Sequence, residues 1–142
     1  MASIPFFDLV PLLSDAGFAG GTSQATGIAI IAAESGRDPA ATHVNTDGSV
    51  DRGLWQINSK AHPEVTDAQA FDPVQATAAA FVISNKGTNY SPWETYTNLA
   101  YRTHTEAARV ALDGYSRLKS QQAENTALHT AINNAVSTLQ SV

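Results

Sequence analysis

Two stretches of the chain are apolar on almost every side of a helix. Ala25 to Ala33 (ATGIAIIAA) and Ala76 to Ser84 (ATAAAFVIS) carry no polar stripe, which predicts two helices buried all round. Glu34 closes the first, so its carboxyl is expected at the edge of the core. Thr22 or Ser23 can cap that helix by accepting its free N–H groups. Ser35, Gly36, Asp38 and Pro39 stop it, because glycine frees the backbone and the residue before a proline is steered out of the helical region. The second helix has Asp72 as its cap and Pro73 at its first position, and Gly87 ends it.

Between the two helices the pattern shortens. Thr42 to Asn45 and Ser49 to Leu54 flank Thr46-Asp47-Gly48, and Asp-Gly in that setting predicts a hairpin with Asp51 on the returning strand. Gln56 and Asn58 then alternate on an extended segment, their amides to one side and Trp55 and Ile57 toward the core. Lys60 to Ala70 reads as a loop. Upstream, Ser3 and Pro5 start a helix with an apolar face of Phe6, Phe7, Leu9, Val10, Leu12 and Leu13, with a break expected at Pro11. Downstream, Ser91 caps another helix, Pro92 presets its backbone and Glu94 can return a bond to the cap, which puts Trp93 on a first turn.

From Thr103 the composition shifts to Ala, Gln, Asn, Thr and Ser. Leu112, Tyr115 and Leu118, then Leu128, Ile132, Ala135 or Val136, and Leu139 form a helical stripe with a polar gap between. Docking on its own globule and oligomerisation or attachment to another subunit are equally open for this segment. The expected class is therefore α+β: a mainly helical domain over residues 1–102 with a small β-hairpin or sheet, and a C-terminal helical extension over 103–142.

At 142 residues and 43% hydrophobic, the chain suits one domain with an adequate core. Zero cysteines exclude disulfides and thiolate metal sites and fit folding in a reducing cytoplasm. The start, MASIPFFDLVPLLSDAG, lacks a basic region and contains Asp8 and Asp15, so it reads as a first helix and not as a signal peptide. No stretch approaches the roughly 20 apolar residues of a membrane span. The net charge of −5 lies entirely in residues 1–102, where five Lys and Arg face ten Asp and Glu. Nucleic acid is not expected as a partner, since phosphate neutralisation needs clustered cations. Electrostatic adhesion to an anionic cell envelope is closed to this chain for the same reason.

The chemistry concentrates in Glu34 to Asn58. A carboxyl desolvated at the end of an apolar helix is held toward its neutral form, whereas Asp51 in a polar hairpin stays ionised. Such a pair, facing one groove from a helix and a sheet, suits a glycosidic bond, which needs a proton donor and an opposing carboxylate. Asp47 is better explained as a turn-former, being the residue before Gly48. Other chemistries find no support. His43, His62, His104 and His129 are scattered without metal-ligand spacing, and Asn45 to Asp51 places its glycine at the fourth position, where a calcium loop needs it at the sixth. There is no G-x-S-x-G around Ser35 and no phosphate-binding glycine loop, so no metal and no cofactor is expected.

The stretch AESGRDPAATHVNTDGSVDRGLWQINSK resembles the active-site region of animal-type (c-type) lysozymes, with the NTDGS-x-D and QINS runs in register, and GLWQIN resembles an element of lytic transglycosylases. The likeness is dense over Glu34 to Lys60 and looser over Ala16 to Arg102. It implies a lysozyme-like fold over residues 1–102 and, as substrate, the β-1,4 bond between N-acetylmuramic acid and N-acetylglucosamine in bacterial peptidoglycan. It also implies Glu34 as general acid and Asp51 as nucleophile or stabiliser. Asn45 would orient Asp51, Gln56 and Asn58 would line the sugar cleft, and Trp93 would pack against the acid and stack on a sugar. Three departures matter. The family's disulfides are absent, the aromatic pair after QINS is Ala61-His62, and nothing past Arg102 has a counterpart. A cysteine-free chain of this kind without a signal peptide resembles a bacteriophage lysin or a lytic subunit on a phage tail. It would be made in the host cytoplasm, act on the wall, and use 103–142 for self-association or attachment to a larger phage assembly. A lytic transglycosylase using Glu34 alone, and a non-catalytic glycan-binding or tail subunit, remain open beside the muramidase.

Overall fold

The apolar run after Ala25 becomes the centre of the molecule. In the computed structural model, which describes residues 3–140, α2 (Thr22–Ser35) buries Ile28, Ala29, Ile30 and Ile31 completely. Its cap differs from expectation: Gly21 occupies the N-cap with no side-chain bond, and Ser23 inside the helix donates to the Gly87 carbonyl at 2.7 Å. Gly36 ends it in the left-handed region (φ 62°), where the Gly36 N–H reaches the Ala32 carbonyl.

Helix α1 (Phe6–Ala16) runs straight through Pro11, where a break was predicted. Interior proline costs about 3 kcal/mol. Leu9, Val10 and Leu13 are all buried, each contributing roughly 1.5–3 kcal/mol, so packing outweighs the lost backbone bond.

Three short antiparallel strands follow in the order β1 (Thr42–Val44), β2 (Val50–Arg52) and β3 (Ile57–Asn58). The hairpin register pairs His43 with Asp51, and Asp51 is in turn opposite Asn58 on β3. Asp47 makes the turn, as its neighbour Gly48 implied: one carboxylate oxygen accepts from both the backbone and the hydroxyl of Ser49, which holds the carboxyl below its ordinary range. The segment expected to be a plain loop contains α3 (Asp67–Ala70), started by a reciprocal Thr66 and Gln69 capping box. Buried Arg52 ties sheet to loop, donating to the carbonyls of Ile57 and Val65 and to the Asp67 carboxylate.

Helix α4 (Pro73–Ile83) starts as predicted, with the Asp72 carboxylate accepting from the Gln75 N–H. It is not buried all round. Ala76, Thr77 and Ala80 face inward, while Val74 and Val82 are 66% and 75% exposed. Alanine-rich sequence reads as core on every face, but only the tertiary placement says which face is covered. Helix α5 (Glu94–Thr97) is four residues long and Trp93, not Ser91, stands at its N-cap, so Trp93 precedes the helix. A 3₁₀ turn (Ala100–His104) leads to α6 (Thr105–Gln140).

An aromatic cluster cements the first unit. Trp55 is fully buried, stacks on Phe18 at 5.7 Å, and donates from Nε1 to Thr77 Oγ1. Trp93 lies 5.3 Å from it and donates to its carbonyl oxygen. The chain divides into two units between Leu112 and Asp113. Ala108 and Ala111 of α6 are buried in the first. In the second, Leu118, Leu128, Ile132, Val136 and Leu139 are exposed. Among the described residues, no helix is long and apolar enough to cross a membrane, and no group of three His, Cys, Asp or Glu side chains is placed to hold a metal ion.

Candidate active site

Glu34 and Asp51, 17 residues apart in sequence, line one cleft of about 200 Å³. The left-handed turn at Gly36 brings the chain back from the end of α2, and the hairpin carries Asp51 to the opposite wall. Ile57, Ile83 and Trp93 supply apolar lining, and Gln56, Asn58, His62 and Glu94 supply polar groups. Among the described residues, no Lys or Arg lines the cleft.

Burial pushes the Glu34 carboxyl above its ordinary range. Two donors from Thr95 pull it back: its hydroxyl donates to Glu34 Oε2 at 2.6 Å, and its backbone N–H adds a second bond. The negative charges of Asp51 and Glu94 push it up again. The net direction is upward, so this half-buried acid keeps its proton to higher pH than a surface glutamate. One oxygen is taken up by Thr95.

Asp51 is held from the sheet. Asn58 Nδ2 donates to Asp51 Oδ1 at 2.8 Å and to Ser49 Oγ at 3.0 Å, while Asn58 Oδ1 accepts from the backbone of Lys60 and Ala61. The side chain predicted to line the sugar cleft is therefore committed to positioning the carboxylate. Asn45, expected in that orienting role, reaches Ser49 instead, with Nδ2 3.2 Å from its Oγ, and touches Asp51 only through the Ser49–Asn58 chain. The alternation of Gln56 and Asn58 does not form either. Gln56 sits at φ 49°, before β3, and its Nε2 donates to the carbonyls of Ala41 and Gly53. It still lines the cleft, in a conformation that a period-two reading misses.

Trp93 lines the cleft but is 4% exposed and bonded to Trp55, so its ring serves as wall more than as stacking platform. Ala61 and His62, in place of an aromatic pair, are also in the lining. Thr95 and Glu94 carried no sequence signal as site residues, because 61 residues separate Thr95 from the carboxyl it touches.

Residues 12–95 match the family model described as Lysozyme like domain, which covers more than half of the chain and spans both carboxylates and Thr95. The chain belongs to the lysozyme-like family. Its members are peptidoglycan-acting glycosidases and transglycosylases, and the domain accordingly implies peptidoglycan as substrate. No curated protein matches the chain.

Proposed function

We propose that this lysozyme-like chain is a muramidase, with Glu34 as general acid and Asp51 as the opposing carboxylate. The observation that carries the reading is the contrast between the two. Glu34 is desolvated and held by Thr95, whereas Asp51 lines the same cleft from the sheet, with its Oδ1 accepting from the Asn58 amide. Glu34 gives its proton to the leaving O4 of N-acetylglucosamine as the bond to C1 of N-acetylmuramic acid breaks. Asp51 captures or stabilises C1. Water then adds there while Glu34 takes back a proton, and the anomeric configuration is retained.

A lytic transglycosylase is the second reading, favoured by the GLWQIN element and by the family itself. In it Glu34 acts as acid and then base, and the muramic 6-hydroxyl closes a 1,6-anhydro ring. Mass spectrometry of digested wall separates the two. Reducing ends are expected from wild type, with Asp51→Asn slowed about 10²–10³-fold. Anhydro ends with Asp51→Asn still active would establish the transglycosylase, and no cleavage even by wild type would leave a glycan-binding subunit.

We further propose that the chain is a phage lysin or tail-borne subunit acting on the bacterial wall, with delivery replacing the electrostatic adhesion its acidic domain lacks. The exposed stripe of Leu128, Ile132 and Leu139 is proposed to pack on a second copy of the chain, giving two catalytic domains per particle. Residues 103–142 hold three cationic against three acidic side chains, so like copies do not repel. Sedimentation of the full chain is expected to show a concentration-dependent dimer, lost in Leu128→Lys/Ile132→Lys. A monomer at every concentration would turn the stripe toward a different partner.

A further inference from the structure

A second groove adjoins the cleft. It lies between the segment at Glu64 and α4, holds about 430 Å³, and has Ala78, Ala79, Val82 and Ile83 among its lining, with Glu64, Gln69 and Gln75 as polar members. Ile83 lines both cavities, and His62 of the cleft sits 3.4 Å from the Glu64 carboxylate of the groove. The two therefore lie side by side, next to the place where Ala61 and His62 offer a sugar no aromatic face.

The groove is poorly suited to another sugar. Among the described residues no aromatic ring lines it, so a pyranose has nothing there to stack on, and its lining is mostly Ala, Val and Ile. An apolar floor with a few amides and one carboxylate fits a short peptide of small residues. The polymer proposed for the cleft carries such a peptide. Each muramic acid bears a lactyl ether whose carboxyl is extended by a stem starting with alanine, and in many walls the stem includes a diamino acid with a free ammonium.

We infer that this groove binds the peptide stem of the wall polymer, an inference that rests on the assignment of peptidoglycan to the cleft. Ala78 and Ala79 accept the alanyl methyl, Gln75 is available to the stem's peptide groups, and the Glu64 carboxylate faces its ammonium. Binding to glycan is then carried jointly by sugar and stem, which offsets the missing aromatic platform.

Equilibrium binding to the full-length Glu34→Gln chain tests this, using a disaccharide with its stem peptide and the same disaccharide ending in a lactyl amide. The stem-bearing fragment is expected to bind at least about tenfold tighter. Ala79→Gln and the more exposed Ala78→Gln, both filling the groove with a good helix former, are expected to bring the ratio to within about twofold. Their circular dichroism melting reports folding separately. Equal affinity of the two fragments for the parent, or a ratio unmoved in both filled variants, would overturn the inference. A preserved preference in a chain that releases no sugar ends from wall would uphold the groove and remove the hydrolytic reading.

Discussion

Glu34→Gln is expected to abolish wall cleavage and, at neutral pH, to raise the melting temperature. General acid catalysis is worth about 10²–10⁴-fold, and glutamine keeps the shape of the acid without its proton. The stability gain follows from the direction of the pKa. Burial raises the folded carboxyl above its unfolded value, so the folded state favours the protonated form. The stability associated with that proton is fully present below the unfolded pKa and is lost as pH rises through the folded one. Above it the charged carboxylate is a burden, which glutamine removes while its amide oxygen still accepts from Thr95. Melting curves of both proteins should therefore diverge at neutral pH and converge in acid. A variant no more stable than wild type at pH 7 would mean that Glu34 is adequately solvated, and would weaken its assignment as the acid. The companion variant Thr95→Val removes one of the bonds that pull the carboxyl back, so the basic limb of the pH–rate profile moves to higher pH. Thr95→Ser leaves it in place.

Gly53→Ala is expected to be the most damaging small substitution in the first unit. Gly53 follows β2 directly at φ 74°, and a Cβ there would collide with the Ala70 carbonyl oxygen and lie 3.3 Å from that of Pro39. Both obstacles are backbone, so relief requires α3 to move away from the sheet. That movement would also disturb Arg52, whose bonds to Val65 and Asp67 bridge the same gap. A cost of about 4 kcal/mol or more is expected, lowering the melting temperature by roughly 10 °C or more. Gly48→Ala is the control. It has a comparable φ of 84° but nothing within 4 Å of the added methyl, so it bears only the conformational cost of about 1–2 kcal/mol. Similar losses in the two variants would show that strain at φ, not the close approach to Ala70, governs this corner. Activity should fall with Gly53→Ala as well, since Asp51 stands two residues earlier on the same strand.

Periodicity and punctuation were enough to place the central helix, the Asp-Gly hairpin and the Asp72-Pro73 start, because each depends on local sterics and on the segment's own apolar pattern. They also placed Glu34 at the edge of the core and Asp51 on the returning strand, the two carboxylates that line the cleft. Tertiary structure decided the rest. Pro11 is carried inside a helix because buried Leu9, Val10 and Leu13 outweigh one lost bond. Alanine-rich α4 is covered on one face only, leaving Val82 exposed and Ile83 in the lining of the cleft. Asn58, not Asn45, holds Asp51, and Thr95 reaches Glu34 across 61 residues of sequence. A local pattern reports which side chains avoid water or bend the chain, whereas the partner of a polar side chain depends on which distant backbone the fold brings within about 3 Å.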